Sequence, residues 1–122
     1  MIAIFDTCIV IDALNGEERA DAEYARYERV LISRITWMEV LVGEKGDDTY
    51  LRNYLEIKFE IIPIDMEIAE AAVQIRRSNA IKLPDAIILA TARRNNADLV
   101  TRNTKDFKPE MDGVRVPYTL TS

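Results

Sequence analysis

Met1-Ile-Ala-Ile-Phe5-Asp6-Thr7-Cys8 opens the chain, and the way an apolar run meets a carboxylate there decides how the rest is read. A strand with one wet face alternates apolar and polar side chains. Ile2–Phe5 does not alternate, so it reads as a strand covered on both faces, as in parallel sheets. Val30–Ser33, Phe59–Ile64, Asp98–Thr101 and Val114–Val116 read as further short strands, with Met1–Phe5 the first. Helical patterns fall between them, near 7–14, 17–28, 36–43, 47–57, 66–79 and 84–95. Strand and helix in alternation predict an α/β fold: a parallel sheet of four to five short strands with helices on both faces. The length, 122 residues, predicts a single domain over 1–122.

Local signals place several helix ends. Asp65 precedes Met66-Glu-Ile-Ala-Glu-Ala-Ala-Val-Gln-Ile75 and suits an N-cap. Pro84 suits a first helical position, where a missing N–H costs nothing. Asn79 suits a helix C-terminus, and Gly43 and Gly46 bracket a break between two helices. The tyrosine pairs Tyr24/Tyr27 and Tyr50/Tyr54 have helical spacing and read as packing residues; exposed, they line a groove for a partner helix.

Composition removes several chemistries. With no histidine there is no Ser-His-Asp or Cys-His arrangement. Four glycines and no phosphate-loop motif exclude nucleotide-loop readings. Cys8 stands alone, so no internal disulfide forms; it reads as a small buried hydrophobe in a reducing, cytoplasmic setting. No signal peptide and no membrane span are expected. The net charge of -5 is unevenly spread: residues 1–65 hold 14 acids against 7 bases, and residues 66–122 hold 7 against 9. The basic half includes Arg76, Arg77, Lys82, Arg93, Arg94, Arg102, Lys105 and Lys108. Carboxylates with cations nearby suit a metal-dependent enzyme acting on a phosphodiester.

The candidate carboxylates are Asp6, Glu39 and Asp85. In an open α/β sheet, ligands bind beyond the carboxyl ends of the strands. Asp6 ends one strand, Thr101-Arg-Asn-Thr-Lys-Asp106 leaves another, and Glu39 and Asp85 lie near helix starts. A shared all-oxygen site suits Mg2+ or Mn2+ rather than zinc. Each acid also has a structural reading. Asp6 can cap the helix near Thr7, Thr36-x-x-Glu39 fits a capping box, and Asp85 can complement a helix dipole. If a helix begins near Thr104, Asp106 falls in its first turn with the same purpose.

Four stretches together resemble the successive motifs of PIN-domain ribonucleases, most closely the VapC-type toxins of toxin–antitoxin pairs. They are Phe5-Asp-Thr-Cys8, Ile35-Thr-Trp-Met-Glu-Val-Leu-Val-Gly43, Leu83-Pro-Asp-Ala-Ile-Ile-Leu-Ala-Thr-Ala92 and Leu99-Val-Thr-Arg-Asn-Thr-Lys-Asp-Phe107. The resemblance implies a PIN-like endoribonuclease dependent on Mg2+ or Mn2+. Asp6 and Asp85 correspond to the main metal-binding aspartates and Glu39 to the second acidic position, which orients a water and accepts its proton. Asn103 stands at the fourth corner, with Asp106 three residues on as a further acid of that motif. Thr7 matches the hydroxyl residue after the first aspartate, and Cys8 stands where Asn is commoner. Because an added anion strengthens an oxygen site, Asn103→Asp is expected to tighten metal binding. The resemblance also implies a homodimer and a cognate antitoxin whose C-terminal segment packs along a groove and presents a basic residue to the acids. Two other readings compete: a non-catalytic PIN-like binding module, and a phosphatase on a related fold, for which the usual Asp-x-Asp is absent.

Overall fold

Ile2–Phe5 forms strand β1 at the centre of the sheet, where a run without polar interruption has to lie. The structure, a computed structural model, describes residues 1–120. After β1 come helices α1 (Thr7–Leu14) and α2 (Glu18–Arg26), strand β2 (Arg29–Ser33), helices α3 (Arg34–Val42) and α4 (Thr49–Lys58), and strand β3 (Glu60–Ile62). Helices α5 (Met66–Ser78) and α6 (Leu83–Arg94) follow, then strands β4 (Asp98–Val100) and β5 (Val114–Arg115). The order across the sheet is β3-β2-β1-β4-β5, with every pair parallel. The chain builds outward from β1 to β3, then crosses to β4 on the other side of β1. The crevice between β1 and β4 is therefore the topological switch point.

The two-residue period of a strand divides the core. Ile4, Leu31 and Leu99, neighbours in register, face α5 and α6 and join Ile68, Ala72, Ile75, Ile88 and Leu89. Ala3, Phe5, Val30, Ile32 and Val100 face the opposite way, onto Ile9, Val10, Ala20, Val40, Leu41 and Leu55 of α1 to α4. Helices thus cover both faces. Tyr24 stands edge-on to Phe5 and Phe59, and Tyr54 to Phe59, so both pack. Tyr27 is half-buried, but Tyr50 is exposed and only stacks on Tyr54.

Several ends differ from the sequence reading. Asp65 caps α5 as expected, accepting from Ile68 N at 2.9 Å. Asn79 follows α5 without the left-handed backbone typical of that position; its Nδ2 donates to Ile75 O at 3.0 Å instead. Pro84 is the second residue of α6, still among the N–H groups a helix leaves free. Helix α3 starts at Arg34 rather than 36, because Ser33 caps it by accepting from Ile35 N. That start removes the capping-box reading of Thr36 and Glu39. Residues 102–113 form successive turns, so no helix begins near Thr104.

Candidate active site

The acids gather at the switch point from the end of β1, the middle of α3, the first turn of α6 and the loop after β4. Asp6 leaves β1 while its N–H still bonds Val100 O of β4 at 2.9 Å, so the carboxylate sits directly over the crevice. It is buried and doubly used. Oδ1 accepts from Thr7 N at 2.8 Å, capping α1, and Oδ2 accepts from Thr101 Oγ1 at 2.7 Å and Cys8 Sγ at 3.4 Å. The capping reading of Asp6 is therefore correct and does not exclude a second role. Burial raises its pKa against the lowering effect of those hydrogen bonds and of Arg102.

Glu39 reaches the same rim from α3. Its Oε1 accepts from Thr7 Oγ1 at 2.7 Å, and that hydroxyl also lies 3.0 Å from Thr36 Oγ1. Asp85 enters from the first turn of α6, where the helix dipole favours a carboxylate. Its pKa is nonetheless pushed up to about 7. Burial is the largest cause, followed by a hydrogen bond with Asp106 and the charges of Asp6, Asp106 and Glu39. Asp106 moves the other way, held low first by Asn103, then by the bond with Asp85 and by Lys82 and Lys105. Asp6, Glu39, Asp85 and Asp106 form one electrostatically interacting set.

Asn103 does not stand beside these acids as an equal. Its Oδ1 accepts from Asp106 N at 3.3 Å and its Nδ2 donates to Asp106 Oδ2 at 3.1 Å, so both ends of the amide are spent on positioning Asp106. In this geometry Asn103→Asp deletes the donor to Asp106 and sets like charges together, which works against the expected tightening of metal binding. Cys8 is half-buried, its thiol pushed up to about 11 by burial and by Asp6, and it donates to Asp6 rather than acting as a nucleophile. Thr101 is the residue that sequence reading missed. Fully buried at the end of β4, its hydroxyl donates to Asp6 and accepts from Asn103 N at 3.0 Å, joining two parts of the site. Its place at a carboxyl strand end was the available signal.

None of the four acids makes an ion pair, although nine ion pairs occur among the described residues. The donor set, all oxygen, fits Mg2+ or Mn2+. Among the described residues no three carboxylates already close around one point. Arg102, one of the bases of the basic half, grips Asp12 instead, through Nε and Nη2 at 2.6 and 2.9 Å. Two roomier clefts, of about 510 and 520 Å3, border Asp98 and Gly113 at the other rim, away from the acids.

The sheet order and the acidic switch point define a PIN domain, and the PIN domain family matches residues 3–108. The chain belongs to that family. It is of the VapC type, being 30% identical over 129 residues to Ribonuclease VapC of Rickettsia bellii, with 93% of this chain and 96% of that protein covered. Among solved structures, it is similar to a toxin-antitoxin complex from Klebsiella pneumoniae at a TM-score of 0.86 and 44% identity, covering 97% of this chain and 99% of that one. FitAcB from Neisseria gonorrhoeae superposes at 0.77 with 28% identity, covering 98% and 100% of the two chains. VapBC2 from Rickettsia felis, bound to a promoter DNA fragment, does so at 0.74 with 25% identity, covering 93% and 96%.

Proposed function

We propose that the chain is an endoribonuclease toxin of a toxin–antitoxin pair, hydrolysing RNA phosphodiester bonds with Mg2+ or Mn2+. The observation that carries this reading is four acids gathered at the switch point with no ion-pair partner, three of them acting on the charge of Asp85. Asp6 and Asp85 hold the ion. When bound, it supplies Lewis-acid polarisation of a phosphate oxygen and lowers the pKa of water. Glu39, exposed and fixed by Thr7, orients the attacking water and accepts its proton. Thr101 and Cys8 hold the Asp6 carboxylate in place, and Asn103 holds Asp106, so the acids are preorganised by hydrogen bonds.

The same reading includes a cognate antitoxin, as the similarity to toxin–antitoxin complexes supports. A pocket of about 250 Å3 beside Glu39 is walled by Ile11, Leu14, Val40 and Leu51 and also carries Glu44. Apolar anchors of an antitoxin segment fit those walls, and a basic residue of that segment fits the two glutamates. A homodimer in the cytoplasm completes the proposal; Met66, Val73 and Leu83 are exposed apolar residues on α5 and the start of α6 available for it. No helix among the described residues is long and apolar enough to cross a membrane. The test is cleavage of single-stranded RNA by the antitoxin-free protein. Cutting is expected with Mg2+ or Mn2+ and none with EDTA. Cutting that persists in EDTA contradicts the metal; no cutting by a folded protein leaves only a binding module.

A further inference from the structure

The two flanks of the acidic site differ in charge. On the Glu39 side the pocket contains two glutamates and no base. On the Asp106 side lies a cleft of about 270 Å3 lined by Asn79, Ala80, Ile81, Lys105, Asp106, Lys108 and Met111. Asp106 lines this cleft and also acts on the charge of Asp85, so the cleft borders the acid set. Lys82, at the start of α6, acts on Asp106 together with Lys105.

These lysines are also free. Arg19, Arg26, Arg29, Arg52, Lys58, Arg94, Arg102 and Arg115 are all engaged by carboxylates. Lys82, Lys105 and Lys108 make no ion pair among the described residues, and all three are exposed. Unpaired ammonium groups beside unpaired carboxylates repeat, in space, the charge pattern that a phosphodiester and its hydrated cation need.

Resting on the nuclease reading above, we infer that this cleft is the RNA subsite flanking the scissile bond. Lys105 and Lys108 bind phosphates of the nucleotides on one side of the cut, and Ala80, Ile81 and Met111 offer an apolar wall to a base or ribose. The RNA is thereby threaded in one direction, from the lysine cleft to the acids, while the glutamate-bearing pocket repels the backbone and stays available to a protein.

Binding of a fluorescein-labelled single-stranded RNA to the intact chain in EDTA, measured by anisotropy across a salt series, tests this without cleavage. Each phosphate contact to a single strand contributes about 0.7 to the slope of log K against log salt. Lys105→Ala/Lys108→Ala is expected to lower that slope by about 1.4. In Mg2+ it is expected to raise KM by roughly tenfold with kcat changed less than about twofold, the pattern of lost uniform binding. Lys105→Arg/Lys108→Arg should keep the slope, and Arg93→Ala, which removes a base at the opposite rim, should leave slope and KM unchanged. If the double alanine variant matches the wild type while Mg2+-dependent cleavage persists, the subsite is wrong and the nuclease reading stands. If the wild type binds no RNA and cuts none, both fail together.

Discussion

Asp12 and Glu23 are as buried as Asp6, yet the fold treats them oppositely. Asp12 receives a bidentate guanidinium from Arg102 and the Tyr118 hydroxyl at 2.7 Å. Burial pushes its carboxyl up, but Arg102 and Tyr118 outweigh that and hold it below its ordinary value. Glu23 receives Arg115 through two bonds of 2.8 Å, tying α2 to β5. Asp6 and Asp85 at the switch point get only one hydroxyl, a thiol, an N–H and another acid, and their pKa values rise. This chain can pair a buried acid with arginine, and does so twice. At the switch point it leaves the negative charge unbalanced, which raises the cost of folding and leaves a place for a cation from outside.

The largest expected effect separates the two kinds of acid directly. Asp85→Asn should lower RNA cleavage by at least about a hundredfold, since ion-based charge stabilisation is worth several kcal/mol. Its melting temperature in EDTA at pH 8 should equal or exceed that of the wild type, because a repelling charge is gone. A large fall in melting temperature would show that Asp85 serves mainly to start α6.

Arg115→Met should do the reverse. It leaves Glu23 buried without its partner and should cost about 2–3 kcal/mol in denaturant unfolding, with Mn2+ affinity of the folded protein unchanged. Unaltered stability would break the contrast from the structural side.

Smaller effects concern the supporting groups. Asn103→Ala releases Asp106 and should raise the Mg2+ concentration for half-maximal cleavage by about tenfold, the usual scale for groups that orient a ligand, with less change at saturating metal. Asn103→Asp should also weaken metal use; tighter binding would restore Asn103 to the fourth corner as a ligand position.

The smallest effect is a pH dependence of the chelated protein. Asp85 has a folded pKa of about 7 against an ordinary 3.8, so the folded state binds a proton that the unfolded state has lost between those values. Stability is then greatest below that window and falls as pH rises through about 7. Thermal melts in EDTA should drop by a few degrees from pH 6 to pH 8 in the wild type and not in Asp85→Asn.

Much of this was legible in the residues. The unalternating Ile2–Phe5 announced a central parallel strand, and the ordered motifs around Asp6, Glu39, Asp85 and Asp106 announced the rim. The start of α3 was not legible, because Ser33 and Thr36 are both good caps and only the end of β2 decides between them. The role of Asn103 depended on a turn at 103–107 that no periodicity encodes. Arg102 counts by sequence only as one base beside the motif, because its partner Asp12 is 90 residues away in the chain. Likewise, Thr101 acquires its meaning only when β4 is laid beside β1.

Calorimetric titration of the antitoxin-free protein with Mn2+ at pH 8, beside Asp85→Asn and Arg115→Met, tests the central claim most directly. The expected result is saturable binding in the wild type and in Arg115→Met, with proton release, and its loss in Asp85→Asn. Binding of equal strength in Asp85→Asn, or none in the wild type, would contradict the assignment of the unpaired acids as a cation site.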